Sequence, residues 1–191
     1  MAPPDRATLV VFPEWTPMSD RIALIANPGS RQGRLRAGVA ERHLLDRGLA
    51  AEVLYSEAPG HGVTLAREAS SRGARVVAAV GGDGTIGEVL NGILLAETQA
   101  ALGIVPAGTG NDTAKGLRIP IHDVPAAADL LADRPPRALD LLEVNGRPAL
   151  GFGVIGFAAD LGIAVNRWKG GPLRWVSQVL RSQTYRVAAV H

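Results

Sequence analysis

The strongest constraint on the fold is the stretch from Val76 to Ile93, where an apolar run leads through a glycine-rich turn into a helical pattern. Residues 76–80 are all apolar, which is typical of a strand buried on both faces of a parallel sheet. After the turn at residues 81–85, apolar side chains recur at helical spacing: Ile86, Val89, Leu90 and Ile93. This order of elements predicts a phosphate site, because glycine lets the N–H groups of a helix start approach an anion.

Two side chains of this turn are candidates for chemistry. Asp83 stands where a carboxylate could face a phosphate-bound magnesium ion, and Thr85 could cap the helix or touch a phosphate. Asp-Gly is also a common hairpin turn, so the glycine-rich turn alone is compatible with an ordinary structural role.

Two further apolar runs end in loops of similar character. Residues 22–26 lead into the loop NPGSRQG at residues 27–33, which is rich in small, hydroxyl and basic side chains. Residues 102–105 lead into the loop PAGTGND at residues 106–112. A plain strand-to-helix connection would explain either loop taken singly.

In the PAGTGND loop, Thr109 lies between two glycines, so its hydroxyl is expected to be accessible to a ligand. Asn111 or Asp112 is expected to cap a short helix at residues 113–117. For these two residues the pattern favours a structural role over a chemical one.

The remaining periodicity completes an alternation of strands and helices, which predicts an α/β fold with a Rossmann-like, doubly wound parallel sheet. In such sheets ligands bind at the carboxyl ends of the strands, so the three loops should open on one edge. In the first predicted helix, Val39, Leu44 and Leu45 are expected to face inward. The further predicted elements are helices at residues 35–47, 63–72 and 123–133 and a strand at residues 51–55.

From residue 135 onward the alternation stops. Asn145-Gly146 between residues 137–144 and 147–155 predicts a β-hairpin and the start of an antiparallel β domain. The predicted organisation is therefore a flexible extension at residues 1–20, an α/β nucleotide-binding domain at residues 21–134 and a partial, β-rich substrate domain at residues 135–191.

Composition excludes several classes of site. The chain of 191 residues is 47% hydrophobic and contains no cysteine, which excludes disulfides and thiolate metal ligands. Its four histidines are scattered without ligand spacing. No apolar run is long enough to span a bilayer and no signal-peptide pattern is present, so a cytoplasmic protein is expected.

Charge is distributed unevenly along the chain. Residues 161–191 contain no acidic residue, five basic ones and two of the three tryptophans. Such a segment is typical of a membrane surface or a nucleic-acid groove, or of a packed helix with a basic exposed face.

Three segments, NPGSRQG, GGDGTIGEVLNG and LGIVPAGTGNDTAKGL, in this order resemble the diacylglycerol kinase catalytic domain. This is a family of bacterial lipid kinases related to sphingosine and ceramide kinases, and more distantly to NAD kinases and phosphofructokinases. NAD kinases share GGDGT without a PAGTGND-like segment, which favours the lipid branch. The resemblance covers roughly residues 21–191 and implies a domain that binds ATP with Mg²⁺, followed by a β-rich domain.

The resemblance also implies roles for individual residues. Glu88 would reach the sugar or base. Among the carboxylates present, Asp83 is the candidate for the catalytic base, and it could equally be the magnesium ligand, which would leave proton removal to the missing domain. Asp160 matches the position at which sphingosine kinases hold the lipid head group, although a role as N-cap of a helix at residues 161–168 is narrowly preferred. Ser56 stands where the family usually has threonine, and Gly87 where it has asparagine. The implied nucleotide contacts are Asn27, Pro28, Gly29, Ser30, Arg31, Ser56, Gly82, Asp83, Gly84, Thr85, Ile86, Gly87, Glu88 and Thr109.

The expected reaction is transfer of the γ-phosphoryl group of ATP to the hydroxyl of a diacylglycerol or sphingoid acceptor, as in phospholipid biosynthesis. The expected partners are ATP and a lipid acceptor at a membrane surface, without nucleic acid, and a homodimer is left open. The family's catalytic glutamate has no counterpart, so the chain is expected to be truncated. An NAD kinase-like enzyme and a non-catalytic nucleotide-binding module are the alternatives.

Overall fold

The computed structural model describes residues 20–29, 31–144 and 147–150. In these ranges the strands are β1 (Arg21–Ala26), β2 (Ala50–Tyr55), β3 (Val76–Gly81), β4 (Ala101–Pro106), β5 (Leu142–Val144) and β6 (Arg147–Ala149). The helices are α1 (Arg31–Asp46), α2 (His61–Ser71), α3 (Asp83–Ala96), α4 (Asp112–Gly116) and α5 (Val124–Asp133).

Strands β1 to β4 form one parallel sheet in the order β2-β1-β3-β4. Alternate side chains of each strand enter opposite apolar layers, as the two-residue period of a strand requires. Leu24 lies in the layer that includes α1 and α5, and Ile25 lies in the layer that includes α2 and α3. The predicted α/β fold, with helices on both faces of a parallel sheet, is confirmed.

The inward face of α1 differs from the prediction. Ala37, Ala40 and Leu44 are fully buried, whereas Val39 and Leu45 are 39% and 47% exposed. Spacings of three and four residues keep the buried three on one stripe, while Val39 points about 200° away from Ala37 around the helix. On α3, by contrast, all four predicted inward residues are buried: Ile86, Val89, Leu90 and Ile93.

The neighbouring strands β1 and β3 send their following helices to opposite faces of the sheet. The chain leaves β1 for α1, which joins one apolar layer, and leaves β3 for α3, which joins the other. Such a divergence between adjacent parallel strands opens a crevice at their carboxyl ends. The crevice therefore lies between the loops that follow Ala26 and Gly81.

The predicted hairpin forms with shorter strands than expected. β5 and β6 pair antiparallel, with Leu142 opposite Ala149, but residues 135–141 adopt no regular structure. This segment begins with two prolines, which have no N–H to give to a ladder. The extension predicted at residues 1–20, apart from Asp20, and the part of the predicted β-rich domain beyond residue 150 lie outside the described residues. Within the described part of the chain, no helix has the length and apolar character needed to cross a membrane.

Candidate functional site

The loops that follow β3 and β4 pack backbone against backbone. Gly81 pairs with Pro106 at the strand ends, and the Ala107 N–H donates to the Gly81 carbonyl at 2.8 Å. A Cβ on Gly108 would lie 2.4 Å from the Gly82 Cα, closer than real Cβ atoms approach. Glycine is therefore required where these loops cross, and the predicted convergence of the GGDGT and PAGTGND loops is confirmed.

Asn111 closes the PAGTGND loop onto itself. Its Oδ1 accepts from the Gly108 N–H at 2.9 Å, and its Nδ2 donates to the Gly108 carbonyl at 2.8 Å. The side chain is buried and does not cap α4, so the predicted capping by Asn111 is wrong. Thr109 lies within this closed turn and is exposed, as its small neighbours predict.

The cap of α4 comes from Asp83, the first residue of α3. Its Oδ1 accepts from the Thr113 N–H at 2.9 Å and its Oδ2 from the Asp112 N–H at 3.3 Å. Burial raises the pKa of the Asp83 carboxyl, but hydrogen bonds from Thr113, Asp112 and its own amide outweigh burial and hold the pKa below its ordinary value. The group is therefore ionised at neutral pH and places a negative charge in the first turn of α3.

Glu88, one turn into α3, caps α2 in the same manner. Its Oε1 accepts from the Gly60 N–H and its Oε2 from the Gly62 N–H, both at 3.0 Å. A Cβ on Gly62 would lie 2.5 Å from that Oε2, so glycine permits the approach. A contact between Glu88 and the sugar or base of a nucleotide stays a prediction. Such a contact would use carboxylate oxygens that already accept from the Gly60 and Gly62 N–H groups.

The start of α3 has no comparable carboxylate cap. Its N-cap residue is Gly82, in extended backbone, and the Ile86 N–H donates to the Gly82 carbonyl at 3.1 Å. No side chain among the described residues accepts from the N–H groups of Gly84 and Thr85. These two donors lie beside the crevice between β1 and β3.

Each other helix whose start is described carries a carboxylate at its first amides. Glu88 serves α2 and Asp83 serves α4, and Asp123 accepts from the Ala126 N–H at the start of α5 at 2.9 Å. At the start of α3 the Asp83 carboxylate binds only its own amide, and the Gly84 and Thr85 amides are left for an anion from outside the described chain.

The loop after β1 contributes a tight turn to the same edge. The Asn27 Oδ1 accepts from the Gly29 N–H at 2.8 Å. Ser56 lies beside the end of β1, where its N–H donates to the Ala26 carbonyl at 2.9 Å and its buried hydroxyl lies 3.5 Å from that oxygen. Ser30 and the side chain of Arg31 lie outside the described residues.

Comparison with known proteins identifies the family to which the chain belongs. The family model described as "Diacylglycerol kinase catalytic domain" matches residues 21–144. The chain belongs to the diacylglycerol kinase catalytic domain family. The matched range includes the three loops of the carboxyl edge, and the resemblance predicted from the loop sequences is confirmed.

The relatives are lipid kinases by name. A Pseudomonas aeruginosa protein named "Probable lipid kinase YegS-like" is 36% identical over 144 residues, which cover 74% of this chain and 46% of the relative. A Bacillus subtilis protein named "Diacylglycerol kinase" is 41% identical over 88 residues, or 46% of this chain and 29% of the relative. The chain thus spans about half, or less, of the length of these curated relatives.

A solved structure agrees with the sequence comparisons. The crystal structure of a diacylglycerol kinase from Bacillus anthracis superposes with a TM-score of 0.59 at 25% identity, covering 70% of this chain and 46% of the other. This likeness agrees with the α/β fold predicted from the sequence.

The residues implied by the family pattern fall into distinct groups. Gly82, Asp83, Thr85 and Thr109 lie in or beside the two crossed loops. The Ile86 side chain is buried in the apolar layer, so only its backbone is near the loops. Asp160 lies outside the described residues.

One residue of the site was missed by the sequence analysis. Arg36, in α1, donates from Nη1 to the carbonyls of Pro106 and Ile121 at 2.5 and 2.7 Å. These contacts join residues 70 and 85 positions apart, and no local pattern in the sequence indicates them.

Proposed function

We propose that this chain is the nucleotide-binding part of a lipid kinase. It binds ATP with Mg²⁺, and the whole protein transfers the γ-phosphoryl group to the hydroxyl of a diacylglycerol or sphingoid acceptor at a membrane surface. The observation that carries the proposal is the open start of α3 at the crevice between β1 and β3. Family membership, and the names of the relatives, support the lipid as acceptor.

The electrostatics of the edge favour a phosphate at α3 over its neighbours. A helix N-terminus carries about half a positive charge together with unpaired N–H donors. Glu88 and Asp83 neutralise the starts of α2 and α4. A polyphosphate would therefore find the first amides of those helices already bound, whereas the Gly84 and Thr85 amides are open, and a magnesium ion would offset the charge of Asp83 beside them.

The described residues suit a magnesium ion that is coordinated partly by the protein and partly by the phosphates of the nucleotide. Among the described residues there is no cluster of three His, Asp or Glu side chains that could hold a metal ion. Magnesium bound to a nucleotide usually takes one or two carboxylates, and phosphates and water complete its shell. We assign this contact to Asp83, whose carboxylate is ionised and lies in the first turn of α3, beside the Gly84 and Thr85 amides. When bound, the ion neutralises charge on the transferring phosphoryl group.

The same geometry makes Asp83 a poor proton acceptor. Its pKa is held below the ordinary value of a carboxyl, whereas an efficient general base titrates near the working pH. The role proposed for Asp83 is therefore to hold the metal and to fix α4, and not to remove the proton of the acceptor hydroxyl.

A matched pair of helix glycines, Gly84 in α3 and Gly38 in α1, tests the nucleotide site. A Cβ at Gly84 or at Gly38 would meet no neighbouring atom within 4 Å, so alanine fits sterically at both positions. Both substitutions should raise helix stability by up to about 1 kcal/mol. Only Gly84 carries one of the open amides.

The experiment is calorimetric titration of Mg-ATP into the wild-type chain and into each variant. Gly84→Ala is expected to weaken binding roughly tenfold or more, because the methyl group crowds the phosphate. Gly38→Ala is expected to bind like the wild type. Equal affinities in all three proteins, or no binding to the folded wild type, would contradict the proposal.

Acceptor preference is tested separately with γ-labelled ATP. Vesicles that contain diacylglycerol or a sphingoid base are compared with soluble NAD, and the labelled product is identified. Labelled lipid is the expected product. Labelled NAD would instead favour an NAD kinase, and saturable binding without any product would favour a binding module.

A further inference from the structure

The Arg36 side chain bridges two distant points of the chain. Its Nη1 donates to the Pro106 carbonyl at the end of β4 and to the Ile121 carbonyl beyond α4. These two residues bracket residues 107–120, which we call the pocket segment. A single guanidinium nitrogen therefore holds both ends of this segment against α1.

The pocket segment contains the parts of the site that β4 contributes. It carries Gly108, which packs on Gly82, and the exposed Thr109. It also carries α4, whose first amides bind Asp83. A shift of the segment would therefore change the position of Thr109 relative to the open start of α3.

The contacts of Arg36 differ from those of a surface ion pair. Arg47 and Arg72 pair with carboxylates. Arg36 is part-buried, and its partners among the described residues are uncharged carbonyls. Hydrogen bonds from a charged donor are roughly twice as strong as those between neutral groups. The positive charge lies at the carboxyl edge, where a polyphosphate would complement it.

We propose that Arg36 is a positioning residue, which holds the pocket segment in the conformation that binds the nucleotide. This inference rests on the proposed nucleotide site. Arg36 itself need not touch the nucleotide, since it acts through the carbonyls at the two ends of the segment.

Arg75 provides a matched control at the opposite edge of the sheet. It immediately precedes β3, and its Nη2 lies 3.3 and 3.4 Å from the carbonyls of Leu131 and Ala132. It is also part-buried and also binds main-chain carbonyls. Arg75→Met therefore removes a similar kind of contact far from the three loops.

The test compares Arg36→Met with Arg75→Met in the full chain. Hydrogen exchange by mass spectrometry follows peptides of the pocket segment, and calorimetry measures Mg-ATP affinity. Arg36→Met is expected to speed exchange across residues 107–120 and to weaken Mg-ATP roughly tenfold. Arg75→Met is expected to leave both quantities as in the wild type. If Arg36→Met fails to fold, Arg36→Lys replaces it and should show a smaller loss of the same kind.

The outcomes separate the two proposals. If the wild type binds Mg-ATP and Arg36→Met binds it equally well, the positioning role is overturned and the nucleotide site stands. Unchanged exchange in the pocket segment, or an equal loss of affinity in Arg75→Met, also overturns the role. If the folded wild type binds no Mg-ATP, the proposed function fails and the positioning role fails with it.

Discussion

The starts of α2 and α4 differ from the start of α3, although all three helices begin near the same edge of the sheet. The first two receive carboxylates, from Glu88 and Asp83. Both of these acidic residues belong to α3, whose own cap residue is Gly82. The helix that contributes the two caps thus keeps an uncapped N-terminus.

An acidic residue in a glycine-rich motif can stabilise the start of its own helix, or it can cap a neighbouring helix. An acidic side chain near a helix start would ordinarily stabilise the positive end of its own helix. In this chain the Glu88 carboxylate binds amides at the start of α2, and the Asp83 carboxylate binds the first amides of α4 as well as its own amide, so neither accepts from the Gly84 and Thr85 N–H groups. The following predictions test this division, beginning with the largest expected effect.

Gly108→Ala should lower the stability of the protein most, because it disturbs the packing between the loops that follow β3 and β4. The added Cβ would lie 2.4 Å from the Gly82 Cα, and backbone cannot move aside as a flexible side chain can. We expect the free energy of unfolding to fall by about 3 kcal/mol, measured by urea denaturation. Gly84→Ala is the control, because its Cβ meets no protein atom within 4 Å. Equal stability of the two variants would show that the loops are not in contact.

Glu88→Gln should destabilise the start of α2. The amide presents one oxygen where the carboxylate presents two, so one of the Gly60 and Gly62 N–H groups loses its acceptor. The expected loss is roughly 1 to 2 kcal/mol in the free energy of unfolding. Glu68→Gln is the control, since its exposed i,i+4 pair with Arg72 contributes about 0.5 kcal/mol at most. An equal loss in both variants would argue against capping by Glu88.

Asp83→Asn should cost about 1 kcal/mol at neutral pH, through the weaker cap of α4. Because the folded pKa is lowered, the stabilisation is complete above the unfolded pKa and is lost as the pH falls through the folded value. The stability difference from the wild type should therefore shrink as the pH approaches about 3.

Chemical denaturation at both pH values measures the Asp83 effect. Asp46→Asn is the control, since Asp46 is exposed near the end of α1 and forms no ion pair among the described residues. A stability difference between Asp83→Asn and the wild type that does not change with pH would contradict an ionised cap.

The fold was largely predictable because its signal is local. Residues 76–80 and 22–26 are unbroken apolar runs, and both became buried strands of the parallel sheet. The glycine turns at their ends correctly predicted that the loops would meet at one edge. The inward face of α1 was predicted less well, because alanines and not the larger Val39 and Leu45 pack on the sheet.

The side-chain partners within the site could not be predicted in this way. Glu88 binds amides 26 and 28 residues earlier, and Arg36 binds carbonyls 70 and 85 residues later. Such contacts depend on how helices are placed around the sheet, and hydrophobic periodicity does not encode that placement. For this reason Glu88 was assigned to a ligand from the motif, and Arg36 was not singled out.

The most direct test of the open α3 start is a titration of the ¹⁵N-labelled chain with Mg-ADP, followed by amide chemical shifts. The account predicts large, saturable shifts for Gly84 and Thr85, and small shifts for Gly60 and Gly62, whose amides already bind the Glu88 carboxylate. Large shifts at Gly60 and Gly62, with Gly84 and Thr85 unmoved, would place the phosphates elsewhere and contradict the account.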